Sequence, residues 1–324
     1  MPQTDGGLAA CAEPDAGDSW RVAMQAGDLA RAWAISDAVL ANRLLRRDQC
    51  WHRPRHEQFI WRGAPLAGRR VLVRCYHGLG DTIQFLRFLE PLRAIAAHVI
   101  LWVQPELLTL ARTARGSDEI LPLHDGDAGV SYDVDIEIME LPHALRTTLS
   151  QLAHRVPYLH ATSHARISTI SSENVSVGIV WSAGDWDQRR SLDAAALATL
   201  VDRCPSVAFH NLQRGPARID GTALGFRNAG SDDIAILASQ VCELDLVVSV
   251  DTMLAHLAGA LGIPVYILLH SDCDWRWMKE RSDSPWYPTA RLFRQDRPGD
   301  WNAALASLAT TVQAARAMTG RAVT

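Results

Sequence analysis

The sequence predicts an α/β protein built of two Rossmann-like parallel-sheet domains facing a cleft, with a short helical hairpin in front of them. Three observations lead there. From Arg70 onward, short β-branched runs alternate with helical stretches, the pattern of parallel sheets covered by helices. The series pauses at one polar stretch, from Ser163 to Asn174, and then begins again. The 324 residues, 48% of them hydrophobic, suffice for two cores of ordinary size.

Taken in order, residues 1–17 are rich in Gly, Asp, Ala and Pro without periodicity and read as a disordered tail. A helical hairpin is expected over 18–60, beginning near Trp20. In its second helix Leu29, Ala32, Trp33, Ile35, Val39 and Leu40 recur at helical spacing behind a cap at Asp28. The hairpin is similar to a single tetratricopeptide unit, which cannot bury its own apolar face and must pack on the domain that follows. The first sheet domain, 61–165, has strand-like runs at Val71–Val73, Val99–Val103, Ile120–Leu123 and Val134–Ile136, with a helix expected from Ile83 to Ile95. The second, 175–300, has them at Val177–Trp181, Val207–Phe209, Leu246–Val250 and Val265–Leu269, and a helix closes the chain over 301–324.

Composition excludes several classes. With 32 basic and 36 acidic residues the formal charge is -4, so nothing attracts nucleic acid or an anionic membrane in general. The N-terminal stretch carries Asp5, Glu13, Asp15 and Asp18 and no apolar run, unlike a secretory signal. No segment approaches the ~20 apolar residues of a transmembrane helix. Cys11, Cys50, Cys75, Cys204, Cys242 and Cys273 are scattered without zinc-ligand spacing and read as reduced thiols of a cytoplasmic protein.

Ligands of such sheets bind beyond the carboxyl ends of the strands. Three segments lie there. His77-Gly78-Leu79-Gly80-Asp81-Thr82 follows the first strand and opens a helix; the glycines permit a tight turn and the helix start offers free amides. Asp81 fits a helix N-cap there, and a chemical role is compatible with capping. Ser249-Val250-Asp251-Thr252-Met253-Leu254-Ala255-His256 repeats the junction in the second half, with Asp251 or Thr252 as cap, free amides for a phosphate, and His256 either in the site or packed. Trp181-Ser182-Ala183-Gly184 with Arg189-Arg190-Ser191 offers a forked cation suited to a diphosphate, or a solvated surface pair. Asp133-Val134-Asp135 has the form of a metal-binding Asp-x-Asp triplet. Its acids continue to Glu137 at a period of two, so it reads instead as the solvated face of a strand, and no metal site is expected. Asp274-Trp275-Arg276-Trp277 with Trp286 suits stacking on a sugar or base, or a packed loop.

Together these segments resemble the heptosyltransferase family of GT-B glycosyltransferases, particularly the branch fused to tetratricopeptide repeats. The resemblance is carried by Gly78-Leu79-Gly80-Asp81-Thr82-Ile83-Gln84-Phe85 in the first half. In the second half it is carried by Val177–Ser182, Arg190-Ser191, Leu212-Gln213, Asp251-Thr252, Ala255–Gly262, Asp274–Trp277 and Arg291–Gln295. It implies a GT-B fold and inverting transfer of a sugar, commonly a heptose, from a nucleotide-sugar donor, ADP-linked by preference, with no cofactor beyond that donor. It implies Asp81 as general base, with Gly78, Gly80, Thr82 and Gln84 on the acceptor side. It also implies a donor site of Trp181, Ser182, Arg190, Gln213, Asp251, Thr252, Met253, Leu254 and His256. The acceptor would be a glycan, lipopolysaccharide or protein. Two residues depart from the family pattern: His77 replaces the usual Gln of the fused branch, and Asp232 falls near an apolar position beside adenine. A sugar-nucleotide epimerase and an inactive binding protein of the same fold are the alternative readings.

Overall fold

The computed structural model describes residues 15–46, 51–152, 156–162, 175–184 and 187–319. The polar stretch Ser163–Asn174, most of the expected N-terminal tail and residues 320–324 lie outside the described residues. Helices α1 (Ala16–Gln25) and α2 (Leu29–Arg46) form the hairpin, joined through Gly27 at φ +75°. Asp28 caps α2, its Oδ1 accepting the amide of Arg31 at 3.0 Å. The tail expected over 1–17 ends earlier than that: α1 begins at Ala16, with Asp18 in its first turn, where an acid favours a helix start.

The hairpin packs on both domains. The Trp33 indole N–H donates to the carbonyl of Thr147 at 2.8 Å, and Asp37 accepts from Arg146 at 2.8 Å. At its other edge Trp20 meets Trp275 edge to face at 5.1 Å, and the amide of Lys279 donates to the carbonyl of Gln25 at 3.0 Å. A lone helical pair with one apolar face thus finds its cover on the two domains.

The first domain runs β1 (Arg70–Arg74), α3 (Leu79–Phe85), α4 (Leu89–Ile95), β2 (His98–Val103), α5 (Leu108–Ala111), β3 (Glu119–Pro122), β4 (Val134–Glu137), α6 (Leu141–Ala144) and α7 (Leu149–Leu152). Its sheet is parallel in the order β3-β2-β1-β4. The single helix expected over Ile83–Ile95 is interrupted by a 3-10 turn at Leu86–Phe88. Pro91 in the first turn of α4 accounts for this, since it has no N–H for the carbonyl of Arg87 four residues back.

The second domain runs β5 (Ser176–Val180), α8 (Ala194–Arg203), β6 (Ala208–Asn211), α9 (Arg218–Ala223), β7 (Arg227–Asn228), α10 (Ile234–Val241), β8 (Leu246–Val250), α11 (Met253–Ala260), β9 (Val265–Leu269), β10 (Ala290–Arg294) and α12 (Asn302–Thr319). The parallel order is β10-β9-β8-β5-β6-β7. Strands β7 and β10 were not expected. The first has two residues, and the second hides Leu292 and Phe293 between arginines and has no β-branched residue. Both faces of each sheet are buried: Val71 and Val73 face the core shared with the second domain, while Leu72 faces Ile100 and Trp102. Leu305, Leu308 and Val312 of α12 pack with Val177, Ile179 and Val248. Among the described residues no helix is long and apolar enough to cross a membrane.

The two sheets meet where α3 lies on α11. A Cβ on Gly80 would come within 3.2 Å of the Met253 Cα and 3.0 Å of the His256 ring, so even a methyl group there would press on α11. Behind it Arg87, 2% exposed, ties the domains together. Its guanidinium donates to the carbonyls of Gln84 at 2.9 Å, Leu152 at 3.1 Å and Trp286 at 2.6 Å, and to the Tyr158 hydroxyl at 3.0 Å. Replacing Arg87 by Met leaves these buried acceptors without donors. We expect a loss of about 3–5 kcal/mol in unfolding free energy, read from urea titrations of the two proteins.

Candidate active site

Each sheet reverses its strand order at one point, between β1 and β4 in the first and between β5 and β8 in the second. The loops leaving β1, β5 and β8 face one another across a cavity of about 660 Å³. From the first domain come Tyr76, His77, Gly78, Gly80 and Asp81; from the second come Arg190, Asp251, Thr252, Met253 and His256. The segment between β9 and β10 supplies the wall from His270 to Arg276, and Arg21 of the hairpin closes one edge.

Asp81 stands at the third position of α3, not at its N-cap; the cap is Gly78, whose amide donates to Asp81 Oδ2 at 3.0 Å. Asp81 therefore closes the helix start from within, leaving its carboxylate at the cavity wall. Its other oxygen pairs with Arg276. Arg276 is 8% exposed and also donates from Nε to Gln84 Oε1 at 2.7 Å and from Nη1 to Asp274 Oδ1 at 3.0 Å. Burial works against its charge, but Asp274, Asp81 and Asp251 outweigh that and raise its pKa. Gln84 thus serves Arg276 from the buried side. Thr82 is buried as well, its hydroxyl donating to Gln104 Oε1 at 3.1 Å.

Across the cavity, Thr252 is the N-cap of α11 but makes no capping bond with its side chain, which instead meets Ser249 Oγ at 3.0 Å. The amides of Met253 and Leu254 thus begin the helix without a side-chain cap. Arg190 lies against this start, donating to the carbonyl of Asp251 at 3.0 Å and of Asp187 at 3.3 Å. Among the described residues it pairs with no carboxylate. Arg189 differs: it is bound to Asp187 at 2.8 Å and lies 3.6 Å from Asp272. That arginine's hydrogen bonds hold the Asp187 carboxyl down to about 2.

Several expected donor residues support the site from outside the cavity. Trp181 is 3% exposed and packs on Phe226 at 5.6 Å, in the core of the second domain. Gln213 Oε1 accepts the amides of Trp181 at 3.2 Å and Ser182 at 3.0 Å, splinting the loop after β5. Ser182 and Leu254 are not among the cavity walls, and Leu254 is buried. His256 does both things foreseen for it: it lines the cavity and is packed, with Nδ1 2.9 Å from the Tyr287 hydroxyl and its ring stacked on Trp277 at 5.4 Å. Burial pushes its pKa well down. Asp232 lies apart, paired with Arg218 at 2.8 Å.

The acidic run of β4 corrects one expectation. Asp135 pairs with Arg74 at 2.8 Å, and Glu137 is 3% exposed, not part of a solvated face. It accepts the amides of Met139 at 2.6 Å and Tyr76 at 3.3 Å and lies 3.8 Å from His77 Nε2. Burial, foremost, pushes its pKa well up. The period of two along β4 hid this, because the strand is buried on both faces at its carboxyl end. Arg276 and Glu137 had one legible signal each: a cation between tryptophans, and an acid at a strand end beside the reversal of strand order. Among the described residues no cluster of acids, histidines and cysteines has the form of a metal site.

The E. coli ADP-heptose lps heptosyltransferase II superposes with TM-score 0.57 at 13% identity, over 77% of this chain and 99% of its own. The glycosyl transferase family 9 protein of Veillonella parvula DSM 2008 gives 0.54 at 14%, over 79% and 98%. E. coli heptosyltransferase WaaC with ADP-2-deoxy-2-fluoro heptose gives 0.51 at 12%, over 76% and 99%. The chain has the heptosyltransferase fold. No family model matches it. Among curated proteins, Protein FlbA of Caulobacter vibrioides is 24% identical over 78% of this chain, which spans about half (48%) of that relative's length.

Asp251 gives the heptosyltransferase-like cleft a measurable pH signature. Burial first, then the charge of Asp274, raises its carboxyl from 3.8 to about 6. In that interval the folded state holds a proton that the unfolded state has released, so this residue's contribution to stability is complete below the unfolded value and is lost as pH rises through about 6. We expect Asp251→Asn to gain on the wild type by up to ~3 kcal/mol between about pH 4 and pH 7, measured by urea unfolding at each pH.

Proposed function

We propose that this chain is an inverting, metal-independent glycosyltransferase. It takes a sugar, with heptose the one the family resemblance implies, from a nucleotide-diphosphate donor, ADP-linked by preference, to a hydroxyl of a glycan or protein. One observation carries the reading: the Asp81 carboxylate of one domain and the Arg190 guanidinium at the start of α11 of the other line the same cavity.

The acceptor hydroxyl gives its proton to Asp81 as its oxygen forms a bond to the anomeric carbon, and the bond from that carbon to the diphosphate breaks on the opposite face. A carboxylate has about four lone-pair sites; the Gly78 amide and Arg276 take one each, and the side chain is 27% exposed. Arg276 fixes which way the remaining sites point. The leaving diphosphate meets Arg190 and the start of α11 at Met253, positive charge already in place before the bond breaks. Buried Gln84 and Gln213 are positioning residues, one holding Arg276 and the other the loop after β5.

Asp81→Asn should lower ADP release from ADP-heptose by a factor of about 10²–10⁴ while ADP binding stays within about twofold. Near-normal turnover in that variant refutes the base assignment. Arg190→Ala should do the reverse in part, weakening ADP roughly tenfold in calorimetric titrations.

A further inference from the structure

Among the described residues, five aspartates and four arginines line the cavity between the domains. Four of the five acids have a guanidinium within salt-bridge distance: Asp81 and Asp274 share Arg276, Asp187 holds Arg189 at 2.8 Å, and Asp272 lies 3.4 Å from Arg21 and 3.6 Å from Arg189. Asp251 has none among the described residues. It is also the most buried of the five, 6% exposed, just past the carboxyl end of β8 and two residues before Met253 opens α11.

The groups whose charge reaches this carboxyl are Asp274, Arg276 and Cys273 from the segment after β9 and Arg190 from the turn before α8. Arg276 is committed to Asp81 and Asp274, and drawing it across would strand both. Arg190 turns to the backbone carbonyl of Asp251 at 3.0 Å, where an arriving phosphate would claim it. Burial holds the Cys273 thiol protonated. On the helix that follows, burial keeps His256 neutral, with Nδ1 2.9 Å from the Tyr287 hydroxyl. The proposed donor site thus sets a diphosphate against a carboxylate that has no cation of its own. Like charges in a buried wall oppose one another, and a proton on the acid removes the conflict. It also turns an acceptor into a donor, since a carboxylic O–H can bond a phosphate oxygen and a carboxylate cannot. Burial and Asp274 already raise this carboxyl to about 6, so the remaining step is short.

We propose that Asp251 binds the donor as the neutral acid, giving its O–H as a hydrogen bond to a diphosphate oxygen, so that each donor molecule brings a proton into the protein. The inference rests on the glycosyltransferase reading of the cavity and adds to it the protonation state in which the cavity is filled. The proton returns to solvent when the diphosphate departs, separately from the one that Asp81 takes from the acceptor. Donor affinity is then complete below about pH 6, where the free protein already holds the proton, and falls as pH rises above it.

The test titrates the full chain calorimetrically with ADP-heptose, whose diphosphate is esterified at both ends and has no group of its own that titrates near neutral pH. Repeating the titration in two buffers of different ionisation enthalpy counts the protons taken up. At pH 7 the wild type is expected to take up about 0.5–1 proton per donor bound, and its affinity should fall by about three- to tenfold from pH 7 to pH 8. Asp251→Asn keeps a hydrogen-bond donor in place without a titrating group. It should bind within about threefold of the wild type at pH 6, with proton uptake near zero and no fall in affinity from pH 7 to pH 8. No proton uptake by the wild type, uptake unchanged in Asp251→Asn, or wild-type affinity indifferent to pH over that interval would each overturn the assignment. The first and last are read on the wild type alone and so decide the matter even should the variant fail to fold. Failure of ADP-heptose to bind the wild type at any of these pH values would instead overturn the donor reading on which the assignment stands.

Discussion

Two buried arginines at the seam between the sheets set the geometry of everything else. Arg87 and Arg276 both originate on one side and end on the other: Arg87 reaches from behind α3 to the carbonyl of Trp286, and Arg276 from the loop after β9 to Asp81 and Gln84. Withdrawing a guanidinium from water costs several kcal/mol, and the fold offsets it in two different ways. Arg87 is met by carbonyl dipoles, a hydroxyl and the rings of Tyr158 and Tyr287 at 4.6 and 4.8 Å. Arg276 is met by carboxylates. The first arrangement is indifferent to what happens in the cleft, whereas the second is part of the cleft wall. Structural fixation and chemical positioning are thus divided between two residues of the same kind.

This division explains why Gly80 stands where it does. With α3 and α11 in near contact, Asp81 and the start of α11 are brought to one cavity without any loop having to close. A Cβ at residue 80 would press on Met253 and the His256 ring, so α3 and α11 would have to yield by a few tenths of an ångström to any larger residue there.

The sheets were legible in the sequence because parallel strands buried on both faces show as apolar runs rich in β-branched residues, as at Val71–Val73 and Val247-Val248. The carboxyl-end rule then placed Asp81, Arg190 and Thr252 on a common side. What the sequence hid was separation: Asp81 and Arg276 are 195 residues apart, and no local pattern announces that they pair. Capping was misassigned at Asp81 because an acid at the third position of a helix serves the same amide from inside that an N-cap serves from outside. Trp181 was placed in the donor site with the loop after β5 and by the family resemblance, whereas its side chain lies in the core of the second domain. Glu137 was read by its period, a rule that holds only where one face of the strand is wet.

In the proposed function, the charge pattern of the cleft selects the place of the diphosphate. Arg21 and Arg189 both face Asp272, at 3.4 and 3.6 Å, and Arg189 is also held by Asp187. Both arginines lie at the exposed edge of the cleft, where solvent screens their pairs, so either cation turns to a phosphate more readily than a buried one. Arg276 is different, because it is buried and leaving Asp81, Asp274 and Gln84 would strand three partners at once. Arg190, bonded only to carbonyls among the described residues, gives up least of all. The order of availability therefore runs from Arg190 through Arg189 and Arg21 to Arg276. In the proposed function the diphosphate is drawn to the start of α11, and Arg276 is left in place to hold the carboxylate of Asp81 towards the sugar.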